Sequence, residues 1–147
     1  MNDKSILLVE DNPSDVELTK RAFKKSSVVN NLIIVNDGQE AIDYFFGTGQ
    51  FEGRDTSIQP TVILLDLKLP KIDGITVLRR LKSDELTRKI PVVVLTTSSE
   101  DSDLEACYEL GVNSYIRKPV DFIQFAEVVS QLGLYWMVLN EIPPVKR

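Results

Sequence analysis

Five short apolar runs recur along the chain, and segments of different periodicity separate them. The runs are rich in Val, Ile and Leu, and they show little polar alternation, which is typical of strands buried on both faces of a sheet. The predicted strands are residues 5–9, 32–35, 61–66, 91–95 and 113–116.

Each predicted strand is followed by an amphipathic segment with apolar residues three and four positions apart, which predicts a helix. Residues 47–59 are different, because three glycines and the lack of periodicity predict a surface loop there. The helices are predicted from Pro13 to about Lys25, up to about Gly47, from Asp73 onward, up to Gly111, and from about Asp121.

The alternation of five strands with five helices predicts an α/β fold with a doubly wound, flavodoxin-like parallel sheet, (βα)5. At 147 residues, the chain is expected to form one domain over 1–147. Its core is expected at 5–139 and a short tail at 140–147, so we expect no output domain.

Four of the predicted strands end on polar side chains. Glu10 and Asp11 follow the first strand, Asp66 ends the third, Thr96 ends the fourth and Lys118 follows the fifth. The carboxyl ends of parallel strands share one edge of the sheet, so these side chains can converge. Clustered carboxylates stay ionised only beside a cation, and hard oxygen ligands suit Mg²⁺. We therefore predict a Mg²⁺ site formed by Glu10, Asp11 and Asp66.

The same edge of the sheet carries the residue types needed for phosphoryl transfer. Asp66 is a plausible nucleophile toward phosphorus, which would give an aspartyl phosphate. Lys118 can neutralise one phosphoryl oxygen, and the Thr96 hydroxyl can donate a hydrogen bond to another.

Composition excludes several other kinds of protein. The chain has no histidine, which removes His-ligated zinc and Ser-His triads, and its net charge of −5 argues against a nucleic-acid surface. A single cysteine, Cys107, fits a reducing compartment. We see neither a signal pattern nor an apolar run approaching a membrane span, so we expect a cytoplasmic protein without membrane contact.

Four motifs in this order resemble the receiver domains of two-component response regulators. They are LLVEDN at 7–12, LLDLKLPKIDG at 64–74, VVVLTT at 92–97 and YIRKP at 115–119. The resemblance implies that Asp66 is the phosphoacceptor, that Thr96 is the switch hydroxyl and that Lys118 is the site lysine. It also implies that the Lys68 carbonyl is a metal ligand and that Tyr115 changes rotamer on activation. In this family the Lys118–Pro119 bond is often cis.

Further features resemble the small stand-alone regulators that are paired with phytochromes. These are the glycine-rich insertion at 47–59, the Thr-Thr-Ser end of the fourth strand, and the Tyr135-Trp136 tail. The resemblance implies that a sensor histidine kinase, of the phytochrome type, donates the phosphoryl group. The receiver is then a signalling phosphoacceptor that catalyses only its own phosphorylation and dephosphorylation.

Other interpretations of the site residues remain open. Asp66 alone could cap a turn, Glu10 and Asp11 could be a solvated pair at a helix start, and Tyr115 could be an ordinary sheet aromatic. A docking module that acts without phosphorylation is a second candidate function. An aspartyl-phosphate phosphatase is a third, although such an enzyme needs an acid where this chain has Lys68.

The last helix carries apolar residues on more than one face, especially from Leu132 onward. A terminal helix of this kind usually covers more than its own core. We therefore predict a homodimer in which the tail's two aromatic residues are anchors, and the alternative is that the tail folds back on its own domain. The predicted dimer residues are Phe122, Phe125, Val128, Tyr135 and Trp136.

Overall fold

The computed structural model describes residues 4–26, 31–119 and 121–143. Five parallel strands form one sheet in the order β2-β1-β3-β4-β5. The strands are β1 (Ile6–Val9), β2 (Leu32–Val35), β3 (Val62–Leu65), β4 (Val92–Thr96) and β5 (Ser114–Arg117). The helices are α1 (Pro13–Ser26), α2 (Gly38–Phe46), α3 (Gly74–Ser83), α4 (Asp101–Glu109) and α5 (Phe122–Leu134).

This architecture confirms the predicted flavodoxin-like (βα)5 fold. The predicted helix boundaries agree with the structure to within a few residues, and every predicted strand end lies within one residue of the observed one, as β5 illustrates. That strand is Ser114–Arg117 rather than 113–116. A short 3₁₀ turn at Gly49–Phe51 lies inside the predicted loop. The predicted tail at 140–147 lies partly outside the described residues.

Alternate residues of each central strand face opposite sides of the sheet, because the side-chain period of a strand is two. Leu7, Ile63 and Val94 belong to the core under α2, α3 and α4. Leu8, Leu64 and Val93 belong to the core under α1 and α5. Both faces of the sheet are therefore covered, which is why these strands are apolar without alternation.

The last helix continues beyond α5 into a π-helical turn at Tyr135–Leu139. In this turn the Asn140 N–H donates to the Tyr135 carbonyl at 2.7 Å, five residues back. The wider turn places Trp136 and Met137 together in the core.

The helical segment Phe122–Leu139 has 18 residues and a mean hydropathy of 1.3, so by length and composition alone it could cross a membrane. It is not an uninterrupted apolar run, because it contains polar or charged side chains at 124, 127, 130 and 131. Five of its apolar residues pack into the core under the sheet: Phe125, Val129, Leu132, Trp136 and Met137.

Candidate functional site

Backbone hydrogen bonds align the strand ends at which the polar side chains stand. The Asp66 N–H donates to the Val9 carbonyl at 3.1 Å, which fixes the end of β3 beside the end of β1. The Lys118 N–H donates to the Thr96 carbonyl at 2.7 Å, which fixes the residue after β5 beside the end of β4. The polar side chains at these strand ends therefore leave the same edge of the sheet, as expected for parallel strands.

The Lys118 ammonium group is the centre of the charged network. Its Nζ atom lies 2.5 Å from Glu10 Oε1, 2.8 Å from Asp15 Oδ2 and 3.1 Å from Asp66 Oδ2. The Lys118 side chain is only 5% exposed. Burial alone would lower the pKa of Lys118, but hydrogen bonds to Asp15 and Glu10 raise it above its usual value, so this lysine is charged at neutral pH.

Glu10, Asp11 and Asp66 form an acidic cluster in which the nearest carboxylate oxygens all lie within 4.8 Å of one another. Glu10 and Asp66 are buried, and Asp11 is exposed. Burial raises the pKa of Glu10 to about 7 and the Asp66 carboxylate adds to this, although the hydrogen bond from Lys118 opposes it. A set of hard oxygen donors with one open side is the kind that Mg²⁺ or Mn²⁺ prefers.

The start of α1 brings in Asp15, which the sequence analysis did not assign to the site. The Asn12 side chain caps this helix, because its Oδ1 accepts from the N–H groups of Ser14 at 2.9 Å and Asp15 at 3.2 Å. The Asp15 carboxylate then reaches Lys118. A signal was present, since an acid in the first turn of a helix at this edge lies close to the strand ends.

Lys68 lies two residues after Asp66, and its side chain is exposed. Its backbone N–H donates to Asp66 Oδ1 at 3.3 Å. The two Asp66 carboxylate oxygens therefore have different partners, with Oδ1 facing the Lys68 N–H and Oδ2 facing the Lys118 ammonium group.

Thr96 and Tyr115 lie on neighbouring strands, and Ser98 lies close to both. Thr96 is fully buried, and its hydroxyl accepts from the Ser98 N–H at 3.3 Å. The Ser98 hydroxyl donates to Asp103 on α4 at 2.6 Å. The Tyr115 hydroxyl is buried and makes no hydrogen bond within the described part of the chain. Burial raises the pKa of Tyr115, and the Ser98 side chain partly opposes that shift.

Two further expectations are corrected at this end of the chain. The peptide bonds between described residues are all trans, so the Lys118–Pro119 bond is trans rather than cis. Phe125 and Trp136 are 3% and 7% exposed and lie in the chain's own core, so they are not available as dimer anchors. Val128 is partly buried, whereas Phe122 and Tyr135 are exposed. The tail folds back onto its own domain through Trp136.

Residues 6–130 match the family described as the response regulator receiver domain. FilR2 of Methanothrix harundinacea, a probable methanogenesis regulatory protein, is 43% identical over 138 residues, which cover 94% of this chain and 86% of FilR2. The response regulator Rcp1 of Synechocystis is 39% identical over 140 residues, which cover 95% of this chain and 93% of Rcp1.

Solved structures of such proteins are also similar to this fold. The phosphorylated cyanobacterial phytochrome response regulator RcpA is 38% identical with a TM-score of 0.89, and the match covers 97% of this chain and all of RcpA. The Mn²⁺-bound form of Rcp1 has the same TM-score and identity over 96% of this chain and 99% of that one.

Proposed function

Since the chain belongs to the family of response regulator receiver domains and is related to phytochrome response regulators, we propose that it accepts a phosphoryl group from a histidine kinase onto Asp66. The observation that carries the proposal is the Lys118 ammonium group, which holds an oxygen of Asp66 at 3.1 Å beside an acidic cluster. Receiver domains are signalling modules, so the functional consequence of this reaction is a change in the conformation of the domain.

In the proposed reaction, a carboxylate oxygen of Asp66 attacks the phosphorus of a phosphohistidine. The new bond joins that oxygen to phosphorus, and the phosphorus–nitrogen bond breaks with its electron pair going to the imidazole nitrogen. Lys118 faces the reacting carboxylate and can donate to a phosphoryl oxygen, which offsets its negative charge. Hydrolysis later returns Asp66 to a carboxylate, when water attacks the phosphorus, the bond between phosphorus and the Asp66 oxygen breaks, and inorganic phosphate leaves.

Glu10, Asp11 and Asp66 are the side chains that would hold Mg²⁺, with the Lys68 backbone carbonyl as a further ligand. The chemistry of the donor set supports this, because three carboxylates whose nearest oxygens lie within 4.8 Å offer the hard ligands that the ion requires. The Mn²⁺-bound structure of the relative Rcp1 supports a divalent cation in this family. When bound, the cation would offset negative charge on the phosphoryl oxygens.

We propose that phosphorylation draws the Thr96 hydroxyl toward the phosphoryl group. That hydroxyl now accepts from the Ser98 N–H, and Ser98 is bonded to α4 through Asp103. Tyr115 changes rotamer at the same time, since its buried hydroxyl has no hydrogen bond to a described residue that would have to break. The phosphoryl group thereby shifts the population toward a second state of the face formed by α4, β5 and α5.

The proposed phosphodonor is a phytochrome-type sensor kinase, and the similarity to RcpA supports that choice. The similarity to FilR2, a probable methanogenesis regulatory protein, makes a kinase other than a phytochrome the competing phosphodonor. Transfer rates from a panel of purified kinases would decide between them, and fastest transfer from a kinase other than a phytochrome would overturn the pairing.

We further propose that residues 1–147 form one domain of a cytoplasmic, stand-alone regulator that contacts neither nucleic acid nor membrane. The match to 93% of the length of Rcp1 supports this organisation. We also propose a homodimer through the outer face of the last helix, where Tyr135, Val138 and Leu139 are exposed.

The test of the phosphoacceptor is the intact mass of the protein after incubation with acetyl phosphate, with and without Mg²⁺. We expect the wild type to gain one phosphoryl group only with Mg²⁺, and Asp66→Asn to gain none. If acetyl phosphate and every kinase in the panel left the wild type unmodified, the chain would be a docking module with a dormant site.

A further inference from the structure

Lys118 has one carboxylate partner that does not belong to the acidic cluster. Glu10 and Asp66 belong to both the cluster and the lysine network, whereas Asp15 contacts Lys118 and is not a member of the cluster. The distance from Lys118 Nζ to Asp15 Oδ2 is 2.8 Å, shorter than its 3.1 Å distance to Asp66. Asp15 is therefore a strong competitor for the charge of this lysine.

An ammonium group has three hydrogens, and the three carboxylates account for all of them. Lys118 contacts one oxygen of Glu10 and one of Asp66, so a cation bound by these two carboxylates would compete with Lys118 for their negative charge. If Lys118 is attracted more strongly to a third group, its electrostatic interaction with Glu10 and Asp66 becomes weaker. Asp15 is that third group, because its carboxylate contacts Lys118.

The helix start holds Asp15 in place independently of its carboxylate. Its N–H donates to the Asn12 side chain, and its carbonyl accepts from the Thr19 hydroxyl at 2.7 Å. Thr19 is buried, so this part of α1 is well fixed. The carboxylate can therefore hold Lys118 without a large loss of conformational entropy on forming the pair.

We propose that Asp15 is a positioning residue that draws Lys118 away from Glu10 and Asp66, so that these two carboxylates stay available to the divalent cation. This inference rests on the proposed function, since it assumes that the acidic cluster binds Mg²⁺. It assigns to Asp15 a role exerted through Lys118, without contact between Asp15 and the cation.

The test measures Mn²⁺ binding by the loss of the free-ion electron paramagnetic resonance signal, followed by competition with Mg²⁺. Asp15→Asn keeps the shape of the side chain and both backbone hydrogen bonds while removing the charge. Without that charge, Lys118 is shared between Glu10 and Asp66 only, so we expect both cations to bind about fivefold more weakly.

A double-mutant cycle separates the action through Lys118 from the loss of a nearby negative charge. In a Lys118→Met background, Asp15→Asn should change the affinity less than about twofold, because the competing ammonium group is gone. Lys118→Gln provides the same comparison if Lys118→Met does not fold. Glu17→Gln is the matched control, since Glu17 is an exposed acid on the same helix that pairs with Lys20.

The outcomes are distinct. A loss that is large in the wild type, small without Lys118 and absent in Glu17→Gln supports the role of Asp15. An equal loss with and without Lys118, or no loss at all, overturns it while leaving the proposed function intact. Failure of the wild type to bind either cation overturns this inference together with the proposed metal site, and the acetyl phosphate assay then tests the proposed phosphoacceptor independently.

Discussion

Gly74 begins α3 in direct contact with the backbone of Asp66, so closely that a Cβ atom on Gly74 would overlap the Asp66 carbonyl oxygen. The same Cβ would stand 2.5 Å from the Cα atom of Leu67. Both obstacles are backbone, so they cannot turn aside as a side chain would. In most helices alanine is more stabilising than glycine. Here we expect Gly74→Ala to lower the free energy of unfolding by about 2–4 kcal/mol, measured by urea unfolding.

The same substitution should also slow phosphorylation of Asp66 by acetyl phosphate, because the strand end must shift to make room. Val129→Ala is the control, since Val129 is fully buried in the core under α1 and α5, away from Gly74. We expect Val129→Ala to lose stability and keep its phosphorylation rate. Unchanged phosphorylation in folded Gly74→Ala would contradict the prediction.

The Tyr115 hydroxyl is buried and has no hydrogen bond to any residue that the structure describes, so removing it should cost little stability. We expect Tyr115→Phe to leave the free energy of unfolding unchanged or to raise it by up to about 1 kcal/mol. Thr87→Val is the contrasting variant, because the buried Thr87 hydroxyl donates to the Leu81 carbonyl at 2.7 Å. That variant should lose about 1–2 kcal/mol. Similar losses in both variants would mean that Tyr115 has a partner.

Arg54 holds the glycine-rich insertion to the body of the domain. Its Nε donates to the Tyr44 carbonyl and its Nη1 to the Ile58 carbonyl, each at 2.6 Å, and its guanidinium lies 4.0 Å from the centre of the Tyr44 ring. Lysine cannot reproduce this planar set of donors. We expect Arg54→Lys to lower stability by about 1–3 kcal/mol and to speed hydrogen exchange in residues 47–59.

Arg80→Lys is the control for stacking, because Arg80 lies over the Phe46 ring at the same 4.0 Å on an exposed position of α3. It should lose at most about 1 kcal/mol. Equal effects of the two substitutions would show that the carbonyl contacts of Arg54 contribute nothing.

Cys107 is buried, and burial raises the pKa of its thiol from 9.0 to about 11, with the Asp103 carboxylate adding to the shift. The native state therefore keeps a proton that the unfolded state loses between pH 9 and pH 11, so stability should fall as the pH rises through that window. Urea midpoints at pH 8 and pH 10 measure the fall, and it should be smaller in Cys107→Ala. Fast alkylation of native Cys107 at pH 8 would count against a protected thiol.

Tyr135 is the better probe of the proposed dimer, because it is 49% exposed whereas its neighbour Trp136 is buried. We expect Tyr135→Ser to shift a concentration-dependent dimer toward monomer in sedimentation velocity without a change in folding. Tyr108→Ser, at a 53% exposed position on α4, should leave the equilibrium unchanged. A wild type that is monomeric at high concentration would refute the dimer.

The site residues that the sequence could predict share one property, which is their position at a strand end. Asp66 and Thr96 follow uninterrupted apolar runs, and the parallel sheet then determines that their side chains meet. The strand pattern was enough for this, because Thr96 is the last residue of β4 and Asp66 directly follows β3. The fold class could be predicted from the alternation of these apolar runs with amphipathic helical segments.

Asp15 and Arg54 could not be predicted in the same way. Asp15 meets a residue 103 positions later, and it does so through the direction of a side chain on the first turn of α1. Arg54 acts through a loop without periodicity, where no repeat predicts which side chain turns inward. The exposure of Leu139 accompanies the wider π-helical turn, whereas a pattern based on 3.6 residues per turn places Leu139 on the same face as Leu132 and Trp136.

From Leu132 to Leu139, through the π-helical turn, buried and exposed residues alternate in pairs. Leu132 with Gly133, and Trp136 with Met137, are buried, while the two pairs between and after them, 134–135 and 138–139, are exposed. The residues that stabilise the core are therefore different from the residues that are exposed to solvent. Substitutions at the outer pairs therefore alter the solvent-facing surface of this helix, while the inner pairs keep the domain folded.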